Sequence, residues 1–336
     1  MLNGHGDDIY NYDKVIVSNY SSNIYNRLDM TGLQVHLCSC IDKIHSYPEP
    51  DAASLKELIA QKNNISVQNI CITNGATEAI YLIAQAYKGK TGYILIPTFS
   101  EYEDACSIND ISLRFIRTLD EADRNSELCW ICNPNNPTGK MIDKKEIVSF
   151  IESHPDMTIV LDQSYQYFTE KEGLSIEEAV KYPNVICLHS MTKQYAIPGL
   201  RLGYITASKK LITQVQQYCM PWSVNQLALE AGKYLLQCEV QYSFDLKEYL
   251  NETTRLQKEL SSIHHIKVYP TETHFFLCRL ENNRKASELK SYLANNFGIL
   301  IRDAGNFRGL DDPFFRLATQ SKNENDILIN VIQGWM

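Results

Sequence analysis

Between residues 54 and 206 the sequence alternates stretches of helical periodicity with short apolar runs bounded by Gly, Pro and Asn. Continuous apolar runs of this length are typical of strands that helices cover on both faces. The alternation therefore predicts an α/β domain with a buried central sheet, whose ligands gather where the strands end. The predicted strands are ICIT at 70–73, GYILIP at 92–97, LCWIC at 128–132, TIVLD at 158–162, VICLHS at 185–190 and GYIT at 203–206.

The rest of the chain predicts a second, smaller unit built from both chain ends. Residues 225–262 are mostly helical in pattern, the runs at 274–280 and 298–302 indicate strands, and a helix closes the chain. The first fifty residues are rich in Asn and Tyr, and their weak periodicity indicates an arm that gains order by packing on something else, such as another subunit. We therefore expect an arm with part of the small domain at 1–45, a large domain at 46–215, and a linking helix with the small domain at 216–336.

Composition excludes several classes of protein. The net charge is -8, with 32 basic and 40 acidic residues, and no basic run is long enough to bind nucleic acid. The opening residues lack the apolar core of a signal peptide, and no stretch has membrane-spanning length, so we expect a cytoplasmic protein. The ten cysteines indicate buried reduced thiols rather than disulfides, because most stand singly in apolar runs. Cys38 and Cys40 lack a second ligand pair at zinc-site spacing, so no metal site is expected.

Lys193 is the first candidate for chemistry. It follows the apolar run that ends at Ser190, stands beside Thr192, and precedes the segment IPGLRLGY at 197–204. A lysine just beyond a strand end can be held at the mouth of a site, where it can form a Schiff base with an aldehyde cofactor. The alternative is a solvated surface lysine, so the neighbouring segments decide between the two.

One segment offers a place for a phosphate group. Asn74-Gly75-Ala76-Thr77-Glu78 follows the strand ICIT and opens a predicted helix that runs to about Lys88. The free amides of Ala76 and Thr77 would then face an anion, and the helix dipole would support it. A simple N-cap is the alternative. The side chains that could complete this phosphate cup are Ser190, Thr192 and Arg201.

Other residues suit the ring of pyridoxal phosphate. Asp162 ends the strand TIVLD and could keep the ring nitrogen protonated, although a helix or turn cap is the alternative. Tyr165 and Asn136 could donate hydrogen bonds to the phenolic oxygen, which would lower the pKa of the imine. The stretch NPNNPTG that contains Asn136 is also a plain tight turn by composition. Tyr102, just past the strand GYILIP, could stack on the ring face.

In this order and spacing, the segments NGATE, PTFSEY, NPNNPTG, LDQSY and SMTKQYAIPGLRLGY resemble the fold-type I, class I and II aminotransferase family over roughly residues 45–320. The resemblance implies an α/β fold, with a mostly parallel seven-stranded sheet in the large domain and a smaller α+β domain. It implies an enzyme with pyridoxal 5′-phosphate as cofactor, in which Lys193 carries the cofactor and transfers protons. The remaining implied cofactor contacts are Asp162 at the ring nitrogen, Tyr165 and Asn136 at the phenolic oxygen, Tyr102 on the ring face, and Ala76, Thr77, Ser190, Thr192 and Arg201 at the phosphate.

The resemblance also assigns two residues outside this set. Tyr47 in SYPEP matches the tyrosine that, in dimers of the family, reaches the phosphate of the neighbouring subunit's cofactor. It therefore implies a homodimer. Arg316 in DPFFRLATQSKNEND matches the arginine that binds the α-carboxylate of the substrate.

Within the family, the opening favours one branch. Residues 4–9 and 20–24 resemble the amino-terminal HGGNI and FSANIN segments of the threonine-phosphate decarboxylases of cobalamin biosynthesis, which the histidinol-phosphate aminotransferases lack. Asp7 and Asp8 depart from the first pattern, and Tyr25 interrupts the second.

The decarboxylase branch implies a set of substrate contacts. Asn23 would help Arg316 at the carboxylate, while Arg302 in LIRDAG would bind the phosphate of the substrate. His5 would join Arg302 there, although a solvated terminal histidine is the alternative. The predicted function is thus decarboxylation of L-threonine O-3-phosphate. Histidinol-phosphate or another amino-acid transamination is the main alternative, and a catalytically silent cofactor-binding protein is a third.

Overall fold

A computed structural model describes residues 6–282 and 284–336 of the chain. Its strands are β1 Ser18–Asn19, β2 Ile70–Thr73, β3 Thr91–Leu95, β4 Ser112–Ile116, β5 Leu128–Cys132, β6 Thr158–Asp162, β7 Val185–Ser190, β8 Gly203–Ala207, β9 Ile266–Val268, β10 Phe275–Leu280, β11 Ile299–Leu300, β12 Arg302–Asp303 and β13 Phe314–Ala318. Its α-helices are α1 Thr31–Ser39, α2 Ala53–Asn63, α3 Gly75–Ala86, α4 Glu101–Ile108, α5 Lys144–Ser153, α6 Ile176–Ala179, α7 Met191–Gln194, α8 Lys209–Gln216, α9 Gln226–Gln237, α10 Leu246–Ser261, α11 Ala286–Phe297 and α12 Lys322–Trp335.

A seven-stranded sheet forms the larger layer, in the order β2-β8-β7-β6-β5-β3-β4. Every pairing is parallel except those of β8, which runs antiparallel to both β2 and β7. All positions of β5, β6 and β7 are buried, because apolar clusters cover both faces of the sheet. Trp130 belongs to the cluster on one face and its neighbour Ile131 to the cluster on the other. The predicted fold is confirmed.

The strand β4, at one edge of this sheet, was not predicted from the sequence. β4 alternates exposed and partly buried residues, so it lacks the continuous apolar run by which the other strands were found. An edge strand covered on one side needs no such run. Its parallel pairing with β3 gives the sheet its seventh strand.

A second sheet of four antiparallel strands has the order β12-β13-β10-β9. The run 298–302, expected as one strand, is divided between two sheets. β11 pairs with the amino-terminal strand β1, whereas β12 pairs with β13. Only Ile301, which is fully buried, separates them.

The amino-terminal segment was expected to gain order by packing on something else, and part of it packs on the second sheet of its own chain. Tyr20 is fully buried beside Ile299 and Phe315, and its backbone amide donates to the carbonyl of Leu300. The helix α1, which the weak periodicity did not predict, follows in the same region and packs on α9. The domain boundaries at 45/46 and 215/216 stay predictions.

The ten cysteines are all unpaired, and Cys71, Cys129, Cys132, Cys187 and Cys278 are buried. Among the described residues, no helix combines the length and the apolar character that crossing a membrane requires.

Candidate active site

A cavity of about 370 Å³ opens beyond the carboxyl ends of β5, β6 and β7. Parallel strands bring the side chains that follow them to one edge of the sheet, which is where ligands of α/β proteins bind. The lining residues are Gly6, Asp7, Ser21, Ser22, Asn23, Ala76, Thr77, Ile80, Phe99, Ser100, Tyr102, Cys132, Asn136, Asp162, Ser164, Tyr165, Ser190, Thr192, Lys193, Pro198, Arg201, Arg302, Phe307 and Arg316.

Lys193 lies in the short helix α7, directly after β7, and faces the cavity half-buried. Desolvation and the nearby charges of Arg316 and Arg201 together lower the pKa of its amine to about 8, against the raising effect of Asp7 and Asp162. Roughly a tenth of Lys193 is therefore an unprotonated nucleophile at pH 7, far more than for an ordinary lysine.

Asp162 ends β6 and is buried in the cavity wall. Its Oδ2 accepts a hydrogen bond of 2.6 Å from the hydroxyl of Tyr102, and its Oδ1 accepts one of 2.9 Å from the backbone amide of Ser164. Desolvation raises the pKa of the carboxyl group, whereas these hydrogen bonds and the charge of Lys193 lower it. The carboxylate is thus fixed in orientation and still able to receive a cation.

Tyr102 is fully buried, and its ring stacks on Trp130 at 5.1 Å between centroids. This contact fixes the ring at the cavity wall, where its predicted stacking on the cofactor stays a prediction. The hydroxyl of Tyr102 donates a hydrogen bond to Asp162, a contact that was not predicted from the sequence.

The amino end of α3 forms the opposite wall. Ala76 and Thr77 lie in the first turn, where backbone amides have no intrahelical acceptor. The guanidinium of Arg201 approaches so closely that a Cβ on Gly75 would lie 2.7 Å from its Nη2. Gly75 also has a φ of +82°, a backbone conformation that favours glycine.

Ser190 and Thr192 complete that wall as buried hydroxyls next to Lys193. Together with the amides of α3 and the guanidinium of Arg201 they form a concave set of hydrogen-bond donors that suits a phosphate group.

Arg316, on β13, is buried between two parts of the chain. It donates from Nη1 to the side-chain oxygen of Asn136 and from Nη2 to the backbone carbonyl of Ser21. Its Nε has no partner among the described residues. Burial lowers the pKa of the guanidinium, because keeping it charged away from water costs free energy. An anionic ligand would offset that cost.

Arg302, on β12, brings a second buried guanidinium to the cavity. It donates from Nη2 to Asn306 Oδ1 at 2.8 Å and lies over the ring of Phe307, 5.0 Å from its centroid. Burial lowers the pKa of this guanidinium too. Two arginines in one small cavity suit a ligand with two separate anionic groups.

Five residues of the amino-terminal segment line the cavity, namely Gly6, Asp7, Ser21, Ser22 and Asn23. Asn23 is buried, and neither its Oδ1 nor its Nδ2 has a hydrogen-bond partner among the described residues. A buried amide without partners is costly, so both atoms are suited to a ligand. Tyr165 also lines the cavity, and burial raises the pKa of its hydroxyl.

Among the predicted site residues that the structure describes, Tyr47 does not line this cavity. Tyr47 is 84% exposed and contacts Trp222 with a distance of 5.2 Å between ring centroids, so it contributes nothing to the cavity of its own chain. His5 lies outside the described residues.

Sequence reasoning missed several lining residues. Ser164 orients Asp162 through its backbone amide, which no side-chain motif could reveal. Phe307 lies in a loop after β12, five residues from Arg302, and Cys132 is the last residue of β5. The position of Cys132 at a strand end was the one signal available.

Residues 35–332 match the model of the aminotransferase class I and II family. The chain belongs to this family, whose enzymes depend on pyridoxal phosphate.

The relatives of this chain within the family include decarboxylases and an aminotransferase. The structure is similar to that of L-threonine-O-3-phosphate decarboxylase from Porphyromonas gingivalis, with a TM-score of 0.92, 38% identity, and coverage of 95% of this chain and 99% of that one. The sequence is 30% identical to threonine-phosphate decarboxylase of Salmonella typhimurium, covering 94% of this chain and 91% of that protein. It is 31% identical to histidinol-phosphate aminotransferase of Caldanaerobacter subterraneus subsp. tengcongensis, covering 86% and 84%.

The cavity fits the cofactor of this family by its own chemistry. It offers a nucleophilic lysine, an oriented carboxylate, and a donor-lined turn at Gly75, where the φ of +82° favours glycine. These are the groups that an aldehyde, a pyridine nitrogen and a phosphate require.

Proposed function

We propose that the chain is an L-threonine O-3-phosphate decarboxylase, which releases carbon dioxide and leaves an aminopropanol phosphate. The observation that carries the proposal is the pair of buried guanidinium groups, Arg302 and Arg316, that line the same cavity. A substrate with a carboxylate and a phosphate would place one anionic group at each guanidinium.

The comparisons support the same reading. The P. gingivalis decarboxylase shares 38% of its residues with this chain over nearly the full length of both. The sequence match to the Salmonella decarboxylase covers 94% of the chain.

In this proposal, residues of the large sheet hold the cofactor. Lys193 would bind it covalently, Asp162 would pair with the ring nitrogen, and Tyr102 would pack on the ring. Tyr165 and Asn136 would contact the phenolic oxygen, and the phosphate would be held by Ala76, Thr77, Ser190, Thr192 and Arg201. The chemistry that the bound cofactor supplies is an electron sink for a bond broken at the substrate Cα.

The remaining residues decide which bond breaks. The position in which the substrate carboxylate is held would select the reaction. Arg316 and Asn23 would hold that carboxylate, and Arg302 would hold the phosphate at the other end of the substrate. Once released from the cofactor, Lys193 would return a proton from Nζ to Cα, for which a pKa of about 8 is well suited.

We also propose a cytoplasmic homodimer in which Tyr47 reaches the cofactor phosphate of the partner. The exposure of Tyr47 leaves its hydroxyl free for such a contact.

The deciding experiment is incubation of the cofactor-loaded protein with L-threonine O-3-phosphate and no keto acid, with released carbon dioxide trapped and counted. Stoichiometric carbon dioxide supports the decarboxylase. An inactive protein, or one that transfers the amino group only when a keto acid is added, contradicts it.

Histidinol-phosphate transamination is the second candidate. The chain is 31% identical to the histidinol-phosphate aminotransferase and 30% identical to the Salmonella decarboxylase, so sequence identity does not separate the two. It predicts amino transfer from histidinol phosphate to 2-oxoglutarate without carbon dioxide. A control with L-threonine lacking the phosphate separates recognition of the phosphate from recognition of the amino acid.

A further inference from the structure

Away from the cavity, three polar side chains converge between α1 and α9. His36 lies in the last turn of α1, and Cys40 follows one helical turn later on the same face. Glu230, from α9, is buried beside them. Cys40 Sγ lies 3.7 Å from His36 Nε2 and 3.9 Å from Glu230 Oε2, and the last two atoms are 4.0 Å apart.

We propose that His36, Cys40 and Glu230 bind a divalent metal ion of the zinc class. Zinc bonds measure about 2.3 Å to sulfur and about 2.0–2.2 Å to nitrogen and oxygen. Two such bonds at a tetrahedral angle separate their ligand atoms by roughly 3.4–3.6 Å. The three observed separations exceed this range by only a few tenths of an ångström. Small side-chain rotations can bring the three ligand atoms that much closer together.

The two oxygens of Glu230 have different surroundings. Oε1 accepts from Lys233 at 2.8 Å, from Gln226 at 2.9 Å and lies 3.0 Å from Lys43 Nζ. These contacts fix the carboxylate and turn Oε2 towards Cys40 and His36. Metal ligands are commonly oriented by such outer hydrogen bonds.

The charges can be balanced at this site. On binding, the Sγ–H bond of Cys40 breaks, the proton leaves to water and an Sγ–metal bond forms, so no oxidant is needed. Thiolate and carboxylate then offset the metal charge. Lys43, whose side chain is 51% exposed, can move into solvent and relieve its repulsion of the ion.

The ligand set selects the class of metal. One nitrogen, one sulfur and one carboxylate oxygen suit Zn²⁺ and disfavour Mg²⁺ and Ca²⁺, which prefer oxygen ligands alone. The side chain of His36 is 27% exposed, so water can occupy a fourth position. None of the three residues lines the candidate active site. The ion would therefore link α1 to α9 rather than take part in the reaction.

The sequence analysis expected no metal site here, because it considered Cys40 with Cys38 and found no second ligand pair at zinc-site spacing. The true partner of Cys40 along the helix is His36, four residues earlier, and the third ligand lies 190 residues further on.

The test uses tag-free, cofactor-loaded protein that has been treated with a chelator and desalted. Wild-type protein should bind one added Zn²⁺ per chain in competition with a chromogenic chelator, and added Co²⁺ should give a thiolate-to-cobalt charge-transfer band. Cys40→Ser should lose the band and bind Zn²⁺ at least about 100-fold more weakly. Cys38→Ser, which removes an exposed thiol of the same helix, should keep both.

Three results would overturn the proposal: no stoichiometric Zn²⁺ in wild type, an unchanged affinity in Cys40→Ser, or loss of the band in Cys38→Ser. His36→Gln provides a second ligand variant if Cys40→Ser does not fold. The cobalt spectrum of wild type decides the matter in any case, because a band without sulfur character excludes Cys40.

Discussion

The two ends of the cavity differ in how the chain builds them. At the end formed by the large sheet, functional side chains follow directly after buried strands and hydrogen bond to each other, as Asp162 does to Tyr102. At the other end, Asn23 comes from the amino-terminal segment, and Arg302 and Arg316 come from the second sheet. There, buried donors lack partners, as in the amide of Asn23 and Nε of Arg316.

This difference indicates that the two ends of the cavity have different roles in binding. At the first end, hydrogen bonds within the protein orient the carboxylate of Asp162, which preorganises it for one ligand, the cofactor. The second end leaves buried polar groups to be satisfied by whatever binds there. Discrimination among substrates is strongest where a wrong ligand would leave such groups unpaired. Substitutions at the two ends should therefore have different kinetic signatures.

The largest effect is expected for Lys193→Ala. Activity should fall at least about 10³-fold, because both covalent attachment and proton transfer are lost. The cofactor absorbance should also disappear after gel filtration. Lys181→Ala, at a site whose side chain is 67% exposed, is the matched control and should keep both. Retention of a stable chromophore by Lys193→Ala would contradict the assignment.

Asp162→Asn should lower kcat by roughly 10²–10³-fold, the loss typical of removing one preorganised electrostatic contact. The amide keeps the shape of the carboxylate but cannot hold a protonated ring nitrogen. The measurements are kcat and the absorbance spectrum of the bound cofactor. Asp156→Asn, at an exposed position, is the control. An unchanged kcat would place the ring nitrogen elsewhere.

At the substrate end, Arg302→Gln should act mainly on KM. Loss of charged hydrogen bonds worth about 1.5–3 kcal/mol corresponds to a KM for L-threonine O-3-phosphate about 10–100-fold higher. Any activity on L-threonine should change little. Arg279→Gln, whose side chain is 37% exposed on β10, is the control. Equal losses with both substrates would show that Arg302 does not bind the phosphate.

Capture of cofactor by cofactor-free protein should depend on pH. The attacking amine must be unprotonated, so the rate should rise with pH and level off above about pH 8. Arg316→Gln should move the midpoint upward, because the charge of Arg316 lowers the pKa of Lys193. Stopped-flow absorbance measures the rate at each pH. A midpoint near the ordinary lysine value of about 10.4 would be inconsistent with a desolvated amine.

The smallest effect is expected for Tyr47→Phe. Loss of one hydrogen bond of about 1 kcal/mol should weaken cofactor binding roughly fivefold without changing kcat. Equilibrium titration of cofactor-free protein measures the affinity, and sedimentation shows whether the chain is dimeric. Tyr10→Phe removes a hydroxyl from another side chain that is 81% exposed and serves as control. An unaltered affinity would leave the inter-subunit contact without support.

The same difference between the two ends of the cavity explains which features could be predicted from the sequence. The strands β5, β6 and β7 were predicted residue for residue, because continuous burial gives a continuous apolar run. Candidate residues such as Asp162 and Lys193 were found because they follow those runs. The strand β4, exposed on one side, gave no comparable signal.

At the other end, local patterns were insufficient and only the family resemblance named the residues. Nothing in the spacing of Asn23, Arg302 and Arg316 indicates that they meet, since contacts among distant segments have no local period. The structure brings all three to one cavity. The unpaired Nε of Arg316 and the unpaired amide of Asn23 became visible only in three dimensions.

The division of residues 299–303 between two sheets has an evolutionary consequence. Alternate residues of a strand point to opposite faces, so inserting or deleting one residue near Ile301 would turn Arg302 away from the cavity and misalign β11 with β1. Point mutation at position 302 changes a single side chain and leaves both pairings intact. New substrate preferences in descendants of this chain should therefore arise there by replacement of the residue and not by a change in loop length.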